Sequence, residues 1–313
     1  MRYQKIITDL MGTIITLTIE HEKGQYLLEK AHQMLINYNK IFSANNQASI
    51  LMKINRNAGK KEVKVDKEML EIIKYAKEVS IASDLALNIA VGPIIKLWKI
   101  GFKDANVPNK KDIKTRLNLI NPENIIVDNI NSTIFLQKEG MEIDLGGFVK
   151  GYFADELKKF FVKNGVKSGI INLGGNVLTI GQNNEVDHKK WTVGIQNPKK
   201  ERGDFLAAIF IEDKAVVTSG IYERVLEISG KTYHHIFDSK TGYPIDNDIA
   251  SVTIISEDAI DGEIWTKILF KMDITEAISL INSVKEIETI IVDRNDKLFY
   301  SQGLEKNIVI IKK

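Results

Sequence analysis

Apolar residues recur along this chain in two rhythms. From Gly24 to Phe42, Leu27/Leu28, Ala31, Met34/Leu35, Tyr38 and Ile41/Phe42 return every three or four residues. That spacing keeps one helical face apolar, so it predicts an amphipathic helix over 24–42. A second helix opens at Asp66, a suitable N-cap, with Met69, Ile72/Ile73, Ala76 and Val79 on one face. Met11 to Glu20 is rich in Thr and Ile and fairly apolar on both alternate sets, which predicts a buried strand. Residues 101–123 carry Lys, Asp, Asn and two prolines with weak periodicity and read as a surface excursion.

Further along, strands are predicted at 124–128, 132–137 and 169–173. Between the last two, Phe148 to Lys163 reads as a helix stopped by Asn164-Gly165. Past residue 170 the pattern becomes short strands with turn punctuation, at 176–181, 191–195, 205–212, 215–218, 223–228, 231–237 and 250–255. Two helices, about 258–271 and 274–284, precede the last strands near 288–293, 297–300 and 307–312. Strands in runs joined by tight turns, with helices set apart, predict an α+β fold with antiparallel sheets. The expected arrangement is two sheet-plus-helix halves in one compact unit, a single domain over 1–313, with no internal repeat.

Composition narrows the function only by exclusion. The 44% hydrophobic and 27% charged fractions are those of an ordinary globular chain. Lys+Arg 43 against Asp+Glu 41 gives net +2, so no field-driven partner such as nucleic acid is expected. There is no cysteine, which excludes disulfides, thiol catalysis, Cys-zinc sites and a lipid-modified cysteine. The N-terminus lacks an apolar signal region, and no apolar run is long enough to span a membrane. Cytoplasm is the default expectation; an exported form trimmed of its signal would read the same.

Candidate chemistry gathers in five places. In Asp144-Leu-Gly-Gly-Phe-Val-Lys-Gly151, two glycines join a short strand to a helix, where backbone approaches a ligand closely and N–H groups favour anions. Lys150 lies in that helix's first turn, against the dipole, a placement that an anion would offset. Asp155, about one and a half turns on, is placed to meet a ribose or flavin edge. The same residues also read as a plain Gly-Gly turn with a solvent-facing lysine. Asn172-Leu-Gly-Gly-Asn176 offers a second close approach, or a bulge. Thr218-Ser-Gly-Ile-Tyr222 ends a strand with small hydroxyls suited to phosphate or ribose, or makes a turn.

His234-His235 precedes the turn of Asp238 and Lys240-Thr-Gly242. On a strand the two rings face opposite sides, so one alone enters any given site, and histidine is the natural base for a hydroxyl near neutral pH. In Asp258-Ala-Ile-Asp-Gly-Glu-Ile-Trp-Thr266, Glu263 and Thr266 share a helical face, and carboxylate with hydroxyl oxygen suits Mg²⁺.

In this order the segments resemble the ApbE family of FAD:protein FMN transferases. The likeness runs from Met11-Gly-Thr through Phe42-Ser43, Ser49, Asn55 and Asn88-Ile-Ala-Val-Gly-Pro-Ile-Ile-Lys-Leu-Trp98. It continues through Asp-Leu-Gly-Gly-x-x-Lys-Gly, Asn-Leu-Gly-Gly, Thr-Ser-Gly-x-Tyr, His-His-Ile-x-Asp and Thr-Gly-Tyr-Pro. The resemblance implies a T-fold-like architecture and FAD contacts at Met11, Ser43, Lys150, Asp155, Gly174, Gly175, Thr218, Ser219, Gly220, Tyr222 and Thr241. It also implies Mg²⁺ at the diphosphate, held by the Gly147 carbonyl and Thr266, and His235 as the base. FMN would pass from FAD to a Thr or Ser hydroxyl of an acceptor flavoprotein, with AMP released.

Three departures stand out. Where the family usually has a metal-ligand Asp, four residues before Thr266, this chain has Gly262, so Glu263 (the better placed) or Asp261 would substitute. Asn88, Ala90 and Asn176 stand where Asp, Thr and Asp are common, and Ser239 replaces a usual Pro. The same residues also suit a Mg²⁺-dependent FAD pyrophosphatase yielding FMN and AMP, and a flavin-binding protein without catalysis is a third reading.

Overall fold

In the computed structural model, residues 1–8 and 10–311 are described. The first half runs β1 (Arg2–Ile7), β2 (Ile15–Glu20), α1 (Gly24–Phe42), α2 (Ile50–Arg56), β3 (Val63–Lys64), α3 (Lys67–Ala82), α4 (Gly92–Trp98), α5 (Lys110–Leu117), β4 (Ile125–Asp128), β5 (Thr133–Leu136) and α6 (Val149–Lys163). Then come β6 (Gly169–Leu173), β7 (Asn176–Ile180), β8 (Trp191–Gln196), β9 (Phe205–Ile211), β10 (Ala215–Gly220), β11 (Val225–Ile228), β12 (Lys231–His234) and β13 (Ile249–Ser256). The chain closes with α7 (Ala259–Phe270), α8 (Ile274–Ser283), β14 (Glu288–Asp293), β15 (Leu298–Tyr300) and β16 (Ile308–Ile310).

The α+β class predicted from the sequence is the class observed, and every named strand pair is antiparallel. Helix α1 spans the predicted 24–42, and Asp66 caps α3 by accepting from Met69 N at 2.8 Å. Five of these elements escaped prediction, among them β3, which has only two residues. Strand β1 alternates without an apolar face. Helices α2 and α4 have seven residues each, too few for a periodicity to declare itself. Helix α5 lies inside the stretch read as a surface excursion, announced only by its Asn109 cap. Lys312, at the end of the last predicted strand, lies outside the described residues.

The chain divides into two compact units. The first (1–37, 148–220 and 247–313) holds an eight-stranded sheet in the order β1-β2-β6-β7-β10-β13-β14-β15 and a small sheet β16-β9-β8. Strand β13 is buried at all eight positions because both its faces are covered. Val216 and its partner Ile255 pack with Trp191, Val193, Ile209 and Ile211 of the small sheet. On the opposite face, Val217 meets α7. The period-2 alternation of β10 therefore sends Val217 and Ser219 toward α7, and Val216 and Thr218 the other way.

The second unit (38–147 and 221–246) contains α2 to α5, the sheet β3-β5-β4 and the hairpin β11-β12. Trp98 is fully buried there, donating Nε1–H to the Gly242 carbonyl at 2.9 Å and packing against Tyr233, Phe237 and Tyr243.

Candidate active site

In the first unit, α6 and α7 are docked at backbone contact. A Cβ on Gly151 would lie 2.7 Å from the Ala259 carbonyl oxygen, so only glycine lets the N-terminus of α7 come this close. One turn along α6, Asp155 is buried and accepts from Ala259 N at 2.7 Å and Ile260 N at 3.0 Å. It does for α7 what its own preceding residue, Asp258, does not: it satisfies the orphan donors of the first turn. Burial pushes the Asp155 carboxyl up to about 7, outweighing those two N–H donors. Asp155, expected to meet a ribose or flavin edge, is thus turned inward as a helix cap.

This docking brings Lys150 to Glu263. Glu263 is 1% exposed, and Oε1 lies 3.2 Å from Lys150 Nζ and accepts from Asn176 Nδ2 at 2.6 Å. Its Oε2 accepts from Lys267 Nζ at 2.7 Å. Burial pushes the Glu263 carboxyl up, but Lys150 and Lys267 outweigh it and hold it at about 2. Lys267 is pulled down by its own burial and by Lys150, against the pull of Glu263. The anion that offsets Lys150 in the first turn of α6 is therefore a protein carboxylate.

Strand β10 and α7 complete the cluster. Ser219 donates Oγ–H to Thr266 Oγ1 at 3.0 Å, and Thr266 donates to the Glu263 carbonyl at 3.0 Å. Lys267 Nζ donates to Ser219 Oγ at 3.0 Å and to Thr266 Oγ1 at 3.2 Å. Thr218, on the other face of β10, exchanges a hydrogen bond with Thr253 at 2.9 Å.

Do these oxygens fit the expected Mg²⁺? As arranged, they do not. Both oxygens of Glu263 and the Thr266 hydroxyl already bond ammonium or amide donors, at N–H···O distances. At Gly262 a Cβ would lie 2.5 Å from Val217 Cγ2 and 2.6 Å from Val217 Cβ, so no aspartate fits there without a shift of the strand. Asp261 is half-buried, its carboxyl raised by burial and by Asp258. Among the described residues, no three His, Cys, Asp or Glu side chains cluster to hold a metal.

Gly174 and Gly175 form the two-residue turn between β6 and β7, with φ of 67° and 100°, and Gly175 N–H is accepted by Asn172 Oδ1 at 2.8 Å. Left-handed backbone at both positions is what such a hairpin turn requires. Met11 also adopts a left-handed conformation, φ 56°. Gly220 closes β10.

In the second unit, the buried Asn55 clamps Ile143 from both sides, donating to its carbonyl at 2.9 Å and accepting from its N–H at 2.8 Å. Asp144 N donates to the Ile89 carbonyl at 2.8 Å, and Asp144 Oδ1 accepts from Gly146 N at 2.7 Å. These bonds fix the loop that leaves Gly146 and Gly147 exposed. Asn88, where the family commonly has Asp, donates to the Ile120 carbonyl at 2.9 Å and accepts from Ala90 N at 2.9 Å.

The strand expected over 231–237 ends at His234, and His235 stands in the bend that follows, so the two rings separate at the strand's end rather than by alternation along it. His234 is buried, with Nδ1 accepting from Ile236 N at 3.3 Å and Nε2 set 2.8 Å from the Ile245 carbonyl. It is a structural residue. His235 is more exposed, and its Nδ1 faces the Arg224 carbonyl at 3.4 Å. An Nδ1–H donated to that carbonyl leaves the lone pair on Nε2, the tautomer a base needs. Ser43 Oγ accepts from Asn45 N at 3.3 Å and Asn46 N at 3.2 Å, and Thr241 Oγ1 accepts from Tyr243 N at 3.3 Å. Tyr222 is half-buried.

Of the residues expected from the sequence, Lys150, Ser219, Glu263 and Thr266 meet in one cluster of the first unit. Ser43, Gly147, Tyr222, His235 and Thr241 belong to the second. Sequence reasoning missed Lys267 as a member. The signal was there, since Glu263 and Lys267 are four apart on one helix, in the favourable Glu-before-Lys order.

The ApbE family model matches residues 11–291, and the chain belongs to this family. An FAD:protein FMN transferase of Klebsiella pneumoniae is 38% identical over 292 residues, covering 93% of this chain and 90% of that protein. One of Treponema pallidum is 28% identical over 295 residues, covering 91% and 82%. The crystal structure of the ApbE protein of Thermotoga maritima matches with a TM-score of 0.88 at 27% identity, over 97% of this chain and 98% of that one. No helix among the described residues is long and apolar enough to cross a membrane.

Proposed function

We propose that this chain transfers the FMN moiety of FAD to a Thr or Ser hydroxyl of an acceptor protein and releases AMP. The observation that carries the proposal is the paired ammonium of Lys150 and Lys267 on one buried carboxylate. Two cations share one counter-charge, so a diphosphate would meet excess positive charge at this cluster. Family membership and the names of the related FAD:protein FMN transferases supply the direction of the chemistry.

In this reading the acceptor oxygen forms a bond to the FMN phosphorus while the bond from that phosphorus to the bridging oxygen breaks. AMP leaves with the electron pair. His235 takes the hydroxyl proton at Nε2, and Lys150 stabilises charge as it grows on the departing phosphate. Ser219 brings a hydroxyl suited to a phosphate or ribose oxygen, whereas Thr218 faces the other side of β10 and pairs with Thr253; the Gly174-Gly175 turn allows close backbone approach to the nucleotide. The Mg²⁺ that the family resemblance implies at Gly147, Glu263, Asp261 and Thr266 enters no step of this reaction, because Glu263 and Thr266 already bond ammonium and amide donors.

The test is intact-mass spectrometry of a candidate acceptor protein incubated with FAD and this chain. A gain equal to one FMN moiety, lost when the acceptor Thr or Ser is replaced by Ala, supports the proposal. FAD converted to FMN and AMP with the acceptor mass unchanged would replace it with a pyrophosphatase. Bound but intact FAD would leave a flavin-binding protein.

A further inference from the structure

Lys267 Nζ has three oxygen neighbours, matching the three donors of an ammonium: Glu263 Oε2 at 2.7 Å, Ser219 Oγ at 3.0 Å and Thr266 Oγ1 at 3.2 Å. One carboxylate and two hydroxyl oxygens are also the ligand types that a hard divalent ion takes, at about 2.0–2.1 Å for Mg²⁺. The longer distances here suit an ammonium. The position from which an aspartate would usually complete a metal set is Gly262, pressed onto Val217 with no room for a side chain. Helix α7 thus lacks the acid at one position and carries a cation five residues later.

We propose that the Lys267 ammonium is a built-in replacement for the divalent cation, so that this chain binds FAD, and transfers FMN, without a metal ion at Glu263 and Thr266. The inference rests on the FAD-binding reading above. Its physical basis is exclusion as well as substitution. A divalent ion among these oxygens would sit beside two ammonium groups, Lys150 and Lys267, both drawn to the same carboxylate. Like charges at such separations repel strongly where water is scarce. Lys267 also holds the Ser219 and Thr266 hydroxyls with their lone pairs turned toward a cation, so its removal would uncover a ready oxygen set.

The experiment compares the wild-type chain with Lys267→Ala, both confirmed folded by circular dichroism. Flavin fluorescence reports FAD binding in EDTA and in Mg²⁺, and electron paramagnetic resonance reports Mn²⁺ bound to the FAD-saturated protein. Wild type is expected to bind FAD with less than about a twofold difference between EDTA and Mg²⁺, and to immobilise no Mn²⁺. Lys267→Ala is expected to lose about tenfold or more in FAD affinity in EDTA, and to recover it with Mg²⁺ while binding Mn²⁺. Stoichiometric Mn²⁺ binding by FAD-saturated wild type, or an FAD affinity raised about tenfold or more by Mg²⁺, would overturn the inference while leaving the transferase reading intact. Failure of wild type to bind FAD under either condition would overturn both. Should Lys267→Ala not fold, the wild-type Mn²⁺ titration decides alone.

Discussion

Glu263 Oε2 and Lys267 Nζ lie 2.7 Å apart, one turn along α7, while Lys150 approaches the other oxygen of the same carboxylate at 3.2 Å from α6. A single buried anion thus holds two helices and two strands in register, since Ser219 of β10 and Asn176 of β7 also join the cluster. Glu263→Gln keeps the shape and deletes the charge. It is expected to lower stability by about 3–5 kcal/mol, because two ammonium groups are left facing each other without a counter-charge. Urea denaturation measures this; a loss under about 1 kcal/mol would mean that the ammonium groups escape to solvent.

The same carboxylate sets an acid limit. With its folded value held at about 2 against an ordinary 4.5, its contribution is complete above about pH 4.5 and is lost as pH falls toward 2. Asp155 runs the other way. Its folded value of about 7 exceeds the ordinary 3.8, so between those values the folded chain keeps a proton that the unfolded chain has released. Stability therefore falls as pH rises from about 4 to about 7, by up to about 4 kcal/mol. Asp155→Asn should flatten that slope, at a fixed cost of about 1 kcal/mol for the weaker cap. Melting temperatures of both proteins across this range check it; parallel curves would contradict it.

Gly151 and Gly262 are predicted to resist any side chain. Gly151→Ala drives a methyl against the Ala259 carbonyl oxygen, and Gly262→Ala drives one into Val217. Each should cost about 1–3 kcal/mol as overpacking. The Gly151 variant should also weaken FAD binding, because moving α7 displaces Glu263 from Lys150. A pair of fluorescence titrations and urea curves is sufficient.

The two histidines should fail differently. His234→Ala removes a buried ring bonded at both nitrogens, and a stability loss of about 1–3 kcal/mol is expected. His235→Ala should leave the urea midpoint unchanged and slow FMN transfer by about a hundredfold or more. Transfer at the parent rate would remove His235 from the base role.

Much of this was legible in the chain. The helix and strand rhythms place α1, α3, α6, α7 and most strands, because each buries one regular face. Lys150 was singled out as a cation that needs an anion, and it has one. What the sequence did not disclose was which anion, because Lys150 and Glu263 are separated by most of the first unit's strands and meet only through the α6–α7 docking. Asp155 misled for a related reason. Its position on α6 suits a ligand, but the close approach allowed by Gly151 turns it into the cap of another helix. Gly262 stood out in the sequence, yet its cause, contact with Val217, needs the sheet.

The most direct test of the transferase account is the stoichiometry of AMP release, followed by chromatography with wild-type protein, FAD and a Thr- or Ser-bearing acceptor. AMP equimolar with flavinylated acceptor, and almost none when the acceptor is left out, is the predicted result. AMP released at the same rate without acceptor would contradict it and identify water as the nucleophile.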